Sequence, residues 1–371
     1  DMASESESGG DSGPTDYTTT NVQEQGVDEI DLVKTDGQYM YVAQDRAFHI
    51  VDSWPVEDAK HLATVELEGW VRGMFLHDDT VAIFQMVYED RDSVYRYGYG
   101  TRISVFDVSD RTKPELTRKI DIDGYLADGR MIDGDVYAVL NHWSRLPEQF
   151  WDLAWSDDLP EVDWSLSGEM LDVELAIKRE KARRILEPKI DQMMEDIDIS
   201  DVLPKWQHSV DDSTATPPTS MHQCSDLYRP HTTGQMNILS LVNLDLDDLE
   251  TSTTGIVSDG WNIYASKDSL YVAQTSWWWW WGWNDMDFNT RIHKFELSAD
   301  SEPKYTATGE VQGWIYDQFA FSEYDGHLRV TTTDIDWWWG VPTDEDEIEP
   351  ANNLFVLKDN GAGALTEVGS V

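Results

Sequence analysis

Alternating apolar and polar residues recur along this chain in a fixed arrangement that includes a glycine, an aromatic residue and a tight turn. The arrangement is clearest over residues 65–84, where Gly69-Trp70 precedes two apolar runs joined by Asp78-Asp79. Asp-Asp and Asp-Gly pairs between alternating or β-branched residues are strong signals for a β-hairpin. The stretch therefore predicts one strand, a Gly-aromatic turn and then a hairpin.

The same arrangement returns along almost the whole chain. The Gly-aromatic pairs and their hairpin turns are Gly124-Tyr125 with Asp133-Gly134, Gly260-Trp261 with Lys267-Asp268, Gly313-Trp314 with Asp325-Gly326 and, more weakly, Gly26-Val27 with Asp36-Gly37. A third strand follows each hairpin, and a fourth leads into the next Gly-aromatic turn. Four strands repeating every ~40–60 residues are typical of propeller blades. We predict an all-β protein, a β-propeller with about five four-stranded blades in this chain, and a β-sandwich is the alternative.

The repeat is interrupted within the third predicted blade. Over residues 142–233 the apolar spacing changes from two to three and four, and residues 170–198 predict a helix that Pro188 divides in two. The predicted organisation is therefore an acidic Ser/Gly-rich tether at 1–20, a propeller at 21–371 and a helical and loop insertion at 142–233. Because a propeller must cover its edges, we also expect residues 18–23 to complete the last blade beside residues 353–358.

Aromatic residues are concentrated in the loops between the second and third strands of three blades. They are Tyr95, Tyr97 and Tyr99 in the second blade, Trp277, Trp278, Trp279, Trp280, Trp281 and Trp283 in the fourth, and Trp337, Trp338 and Trp339 in the fifth. In an antiparallel four-stranded blade these loops emerge at the same end as the turn into the next blade. The sequence therefore predicts a single aromatic-rich face that includes the Gly-aromatic turns.

Nine tryptophans in two neighbouring loops exceed what a monomer normally leaves in contact with water. Each ring buries up to ~250 Å², whereas the largest exposed apolar patch of a monomer is usually ~300–600 Å². We therefore expect a cover for these rings. Three covers remain open from the sequence: the insertion of this same chain, a partner protein or neighbouring copy, and a stacked sugar ring or lipid headgroup.

Charge is the most extreme global property of the chain. Its 72 acidic and 27 basic residues give a formal net charge of −45, which excludes nucleic acid as a natural partner because phosphates would be repelled. With 40% hydrophobic residues the chain can still form a core, so the acid belongs to a solvated surface. Molar salt shortens the Debye length to ~3 Å and screens such a surface. We therefore expect a halophilic source.

Residues 27–37, which read VDEIDLVKTDG, resemble the opening signature GVDEADIVKTDG of a family of secreted proteins with a β-propeller domain distantly related to WD repeats. Residues 269–273, 313–319, 328–330 and 353–357 resemble later stretches of that family, and the acidity suggests a haloarchaeal type. The resemblance implies a secreted or cell-surface location and brings no established activity. Members of the family continue through further blades beyond the point that corresponds to Val371, so the total blade number stays open.

Metal chemistry has only weak candidates. Oxygen ligands for Ca²⁺ could come from two acidic groups, Asp28, Glu29 and Asp31 or Asp245, Asp247 and Asp248, although such groups also arise by chance in so acidic a chain. His222, Cys224 and His231 are close in sequence but lack the ligand spacing of a tetrahedral zinc site. Phosphate-loop, nucleophile-elbow and zincin motifs are missing from the sequence, and we predict no organic cofactor.

These observations together favour a binding protein. We predict an extracellular or cell-surface module that presents its aromatic-rich face to another surface protein or to copies of itself. The acidic stretch at 1–20 would link it to a membrane tether in a preceding segment, or is a plain disordered terminus. The competing function is a carbohydrate-binding protein or hydrolytic surface enzyme with its site at the mouth of the propeller channel.

Overall fold

The computed structural model describes residues 22–88, 94, 98–143, 150, 152–153, 155–211, 213–230, 237–275, 289–298, 302–334 and 351–371. Strands dominate these residues and form five separate sheets, each built around four antiparallel strands that follow one another around the predicted repeat. This arrangement confirms the prediction of an all-β propeller with four-stranded blades. We call the first strand of each blade its inner strand.

The strand bounds follow the sequence repeat closely. The first blade contains Val33–Thr35, Tyr39–Gln44, Ala47–Asp52 and Lys60–Glu66, and the second contains Trp70–His77, Thr80–Tyr88, Tyr99–Asp107 and Glu115–Ile122. The third contains Tyr125–Ile132, Asp135–His142, Ile238–Asp245 and Thr251–Val257. The fourth contains Asn262–Ala265, Ser269–Thr275, Asn289–Glu296 and Lys304–Gln312, and the fifth Phe321–Tyr324, His327–Asp334, Ala351–Asp359 and Leu365–Ser370.

The hairpins turn where the Asp-Gly pairs predict. Asp133 and Gly134 have φ values of 49° and 97°, and Asp325 and Gly326 have 51° and 67°. Two successive residues with positive φ give the type I′ turn, whose twist matches that of the two strands it joins. The local sequence therefore sets both the position and the geometry of these hairpins.

Consecutive blades are held together by hydrophobic clusters between their faces. Each of four clusters combines residues of two neighbouring blades: Phe48 with Ile83, Phe84 with Leu140, Leu241 with Phe295, and Ile292 with Leu328 are representative members. These side chains are all 1% exposed or less. In the part of the chain that the structure describes, no corresponding cluster joins the fifth blade to the first.

The predicted pairing of residues 18–23 beside residues 353–358 was wrong. The strand Ala351–Asp359 is paired on one side with His327–Asp334 and on the other with Leu365–Ser370, so both of its edges are already used. Gln23 instead contacts the fifth blade through its side chain, which donates to the carbonyl oxygen of Phe321 at 3.1 Å. Residues 18–21 lie outside the described residues.

The insertion in the third blade extends the outer edges of two blades. Its elements are the helices Glu169–Glu195 and Ile199–Val202, the 3₁₀ turn Cys224–Asp226 and the strands Lys205–Val210, Thr219–Ser220 and Leu227–Tyr228. The first of these strands pairs with the fourth strand of the second blade, and the last runs parallel to the fourth strand of the third blade. The insertion therefore returns to the preceding blade before it rejoins its own.

Pro188 does not divide the long helix as predicted. The helix continues from Glu169 to Glu195 with Pro188 inside it. Arg183 pairs with Glu180 and with Glu187 at 3.0 Å each, so ion pairs support the turn that precedes the proline. Neither described helix is long and apolar enough to cross a membrane.

Candidate functional site

The Gly-aromatic pairs have the same structural role in four blades. Each glycine packs against the second strand of its own blade, where a Cβ on Gly69 would lie 2.6 Å from Val87 and one on Gly260 would lie 2.4 Å from Val272. No side chain fits in this space, so the position requires glycine. The next residue begins the inner strand of the second and third blades, directly precedes it in the fourth, and bridges to the second strand in the fifth. Its aromatic ring therefore lies at the end of the propeller where each of these blades starts.

Four aromatic residues lie at this end, and we call them the aromatic collar: Trp70, Tyr125, Trp261 and Trp314. Trp70 and Trp261 are each 49% exposed. The ring centroids of Tyr125 and Trp261, which belong to neighbouring blades, are 5.8 Å apart. The guanidinium of Arg72 lies 5.4 Å from the centroid of the Tyr125 ring. The collar thus includes a continuous row of cation, phenol and indole across three blades.

The N-terminal segment occupies the opposite part of the channel. Residues 23–31, which we call the N-terminal strap, run across the hairpin end of the inner strands. The short strand Asp28–Glu29 pairs with Met131 and Arg130 of the third blade, and Asp31 forms a bridge with Met74 of the second. Gly26 lies against Lys267 in the hairpin turn of the fourth blade. The strap therefore contacts the second, third and fourth blades on the side that faces away from the collar.

Polar contacts tie the strap to the first, fourth and fifth blades. Lys34 of the first blade donates to both carboxylate oxygens of Asp28 at 2.8 Å. Glu29 accepts from the side-chain amide of Gln318 at 2.9 Å, and Glu24 accepts from the hydroxyl of Tyr264 at 2.7 Å. Burial raises the pKa of Tyr264 well above its ordinary value, and the hydrogen bond to Glu24 adds to this.

The acidic residues considered as calcium ligands have other contacts. Asp28 and Glu29 bind the strap partners described above, and Asp31 accepts from the next backbone N–H at 2.6 Å. Asp245 and Asp248 accept from backbone N–H groups two residues ahead at 2.7 Å, and Asp247 lies 3.4 Å from the imidazole of His77. Within the described ranges, no three His, Cys, Asp or Glu residues are placed to hold a metal ion. Calcium binding stays a prediction from sequence.

His222 is a core histidine. Its ring is 2% exposed and lies between the hydroxyls of Ser240 at 2.6 Å and Thr253 at 3.2 Å. Burial lowers the pKa of His222 to about 4, so the ring is neutral at neutral pH. Cys224 is exposed, and His231 lies outside the described residues.

Most of the aromatic residues predicted to bind a partner lie outside the described residues: Tyr95, Tyr97, Trp277, Trp278, Trp279, Trp280, Trp281, Trp283, Trp337, Trp338 and Trp339. Tyr99 is described; it begins the third strand of the second blade, and its ring centroid is 6.3 Å from that of Tyr88. The strands that flank the first Trp cluster end at Thr275 and begin at Asn289, and both residues lie at the collar end of the fourth blade.

Sequence reasoning missed two parts of the site. Nothing in the sequence marks Arg72 as part of a site, because a single arginine two residues after Trp70 is common. Only the structure shows that it lies against the ring of Tyr125. The strap has a recognisable sequence feature, the acidic group of Asp28, Glu29 and Asp31, but we interpreted this group as a set of calcium ligands. Its partner Lys34 lies only six residues away from Asp28 and could have suggested an ion pair.

The match to a protein family agrees with the architecture. Residues 17–371 match the sequence profile of a family described as the beta propeller domain. An uncharacterized protein of Methanocaldococcus jannaschii is 24% identical over 127 residues, which are 34% of this chain and 18% of that protein, so the match spans less than a fifth of this relative. A hypothetical selenium-binding protein from Sulfolobus tokodaii aligns at 12% identity and a TM-score of 0.25 over 90% of this chain and 75% of that chain. The tricorn protease aligns at 8% identity and a TM-score of 0.18 over 89% of this chain and 30% of that chain.

Proposed function

The chain belongs to the beta propeller domain family, and on that premise we propose that it is a cell-surface or secreted binding module whose working surface is the aromatic collar. The partner we propose is a protein, either another surface protein or a second copy of this chain. A propeller domain supports a role in binding in general. The collar is the specific surface that we propose for it.

The observation that carries this proposal is the row formed by Arg72, Tyr125 and Trp261. Tryptophan, tyrosine and arginine are the residue types most enriched where binding energy is concentrated in protein interfaces. Here all three types lie side by side, Trp261 is 49% exposed, and the row spans three blades that pack rigidly on one another. A rigid surface of this kind loses little conformational entropy when a partner binds.

The strap supports an orientation for this surface. Residues 23–31 lie at the hairpin end of the inner strands, opposite the collar. An attachment through the acidic N-terminal stretch would then direct the collar outward, toward partners at the surface of the cell. The strands that flank the two Trp clusters end on the collar side of the fourth and fifth blades, and we propose that the clusters enlarge the contact.

The test compares two exposed tryptophans at opposite ends of the propeller. Trp261 and Trp54 are both 49% exposed, and Trp54 lies at the hairpin end of the first blade, which makes Trp54→Ala a matched control for Trp261→Ala. We expect Arg72→Ala combined with Trp261→Ala to weaken association at least tenfold, because each anchor of this kind contributes about 1 kcal/mol or more.

The measurement is sedimentation velocity of the purified chain in molar salt, together with capture of surface proteins from cells of the source organism on immobilised chain. Loss of self-association or of captured proteins in the Arg72/Trp261 variant, with both retained in Trp54→Ala, supports the proposal. Equal behaviour of the two variants would show that the collar is not the binding surface.

A further inference from the structure

The fifth blade carries an open groove beside the collar. Its volume is about 450 Å³, within the ~300–1,000 Å³ range of small-molecule sites. The groove exists because the inner part of this blade is interrupted. Trp314 bridges to Thr333 of the second strand, the chain then leaves the sheet, and it returns only at Phe321–Tyr324. The excursion forms one wall and exposes the sheet face beneath it.

The floor and the wall of the groove have different chemistry. On the floor, Thr331 pairs across the sheet with Leu354 and Thr333 pairs with Asn352, so the polar side chains are on one face of adjacent strands. The wall carries the rings of Trp314 and Tyr316, which meet edge to face with centroids 5.8 Å apart. Tyr316 is 79% exposed, so its ring stands free above the floor.

The charge of the groove distinguishes it from the rest of the molecule. The side chains of all ten described residues that line it are uncharged, in a chain of which 27% of residues are charged and the net charge is −45. A charged ligand would lose its hydration in such a groove without gaining an ion pair. On the floor the hydroxyl of Thr333 donates to Oδ1 of Asn352 at 3.0 Å, and that of Thr331 donates to the carbonyl oxygen of Ala320 at 3.3 Å. A purely apolar ligand would desolvate these groups and the amide N–H₂ of Asn352 without offering them a hydrogen bond.

We propose that this groove binds a neutral saccharide. A sugar ring presents C–H groups on its faces, which pack on indole and phenol rings, and hydroxyls around its edge, which exchange hydrogen bonds with amides and hydroxyls. The groove offers both types of surface, the rings of Trp314 and Tyr316 on its wall and the polar groups of Thr331, Thr333 and Asn352 on its floor. The groove shares Trp314 with the collar, but the test of this inference uses Tyr316 and Asn352, which are not part of the collar.

The experiment titrates the purified chain in molar salt with neutral trisaccharides: maltotriose, cellotriose, mannotriose and N,N′,N″-triacetylchitotriose. Trigalacturonic acid serves as a charged counterpart. Binding is followed by saturation-transfer NMR and isothermal calorimetry. We expect at least one neutral trisaccharide to bind with a millimolar or lower Kd, and trigalacturonic acid to bind at least tenfold more weakly.

Two variants locate the site, and one serves as a control. Tyr316→Ala removes an exposed ring and Asn352→Asp places a carboxylate on the floor, and each should raise the Kd for the neutral trisaccharide at least tenfold. Tyr324→Ala removes a ring of the same blade that is 72% exposed but lies at the hairpin end, and it should leave the Kd unchanged. Melting temperatures of the three variants verify that they are folded.

Absence of binding for all four neutral trisaccharides would overturn the inference. So would tighter binding of trigalacturonic acid, or unchanged affinity in both Tyr316→Ala and Asn352→Asp. None of these outcomes affects the collar, whose test uses Arg72 and Trp261.

Discussion

The ammonium group of Lys34 lies 2.8 Å from both carboxylate oxygens of Asp28 and 2.6 Å from the carbonyl oxygen of Glu29. The lysine side chain is 4% exposed and the aspartate side chain 25%. This ion pair joins the inner strand of the first blade to the strap, and the strap in turn contacts each of the other four blades. No hydrophobic cluster joins the first and fifth blades among the described residues, so the strap is their principal described link.

Lys34→Met should therefore destabilise the whole propeller. It leaves the carboxylate of Asp28 without its ionic partner in a largely desolvated position, which costs about 3 kcal/mol of unfolding free energy. Denaturant titration in molar salt measures the loss. Lys113→Met is the matched control, because the pair of Lys113 with Glu115 is exposed on both sides and should contribute less than about 1 kcal/mol. Equal losses of unfolding free energy in the two variants would show that the contact of Lys34 with the strap does not stabilise the propeller.

Gly260→Ala tests the explanation of the Gly-aromatic turns. Its Cβ would lie 2.4 Å from Cγ1 of Val272, so either the turn or the second strand of the fourth blade must move. Overpacking of this kind costs about 1–3 kcal/mol. Gly369→Ala is the control, since a Cβ there meets no atom within 4 Å. A denaturation midpoint that is equal in the two variants would contradict the steric explanation.

Acid should destabilise the fold through its buried histidines. His293 is fully buried between the hydroxyls of Ser258 at 2.8 Å and Thr308 at 2.7 Å, and burial lowers its pKa to about 3. The unfolded chain binds a proton below about pH 6.5 and the folded chain does not, so stability is full above pH 6.5 and declines as the pH falls toward 3.

The expected slope from His293 is about 1.4 kcal/mol of unfolding free energy per pH unit below 6.5. His293→Gln keeps a donor and an acceptor but does not titrate, so its stability should depend less steeply on pH between 6 and 4. His61→Gln is the control, because His61 is exposed. Parallel pH profiles for the His293→Gln variant and the unmodified chain would refute this assignment.

The hairpins and blades could be predicted from sequence because they depend on residues close to one another in the chain. Asp133-Gly134 specifies its own turn, and Gly260 specifies a contact with the strand that follows it. The contact of the strap with the fifth blade could not be predicted, because Gln23 meets Phe321 almost three hundred residues later. The insertion strand Lys205–Val210 returns to a blade completed eighty residues earlier for the same reason. Local periodicity contains no information about which distant edge a strand will join.

Low salt should unfold the protein. At a net charge of −45 the repulsion between surface carboxylates grows as the Debye length rises from ~3 Å in molar salt to ~10 Å at 0.1 M. Circular dichroism and thermal melts on dilution from molar KCl to about 0.1 M should show loss of β-structure. Sucrose in place of KCl is the control for general solvent effects and should not restore the fold. An unchanged spectrum and melting temperature at low salt would refute a requirement for screening.

The last prediction concerns the two Trp clusters, which lie outside the described residues but continue from strands that end beside the collar. Burial of four such rings would contribute roughly 10 kcal/mol or more at ~25 cal/mol/Å² before the costs of association, enough to hold a partner. We expect Trp279→Ala combined with Trp338→Ala to leave the melting temperature of the monomer unchanged and to weaken association as strongly as the Arg72/Trp261 variant. Trp54→Ala again serves as the control. If the double variant instead melts many degrees lower while association is intact, the clusters are internal core covered by the insertion, and the collar must bind its partner without them.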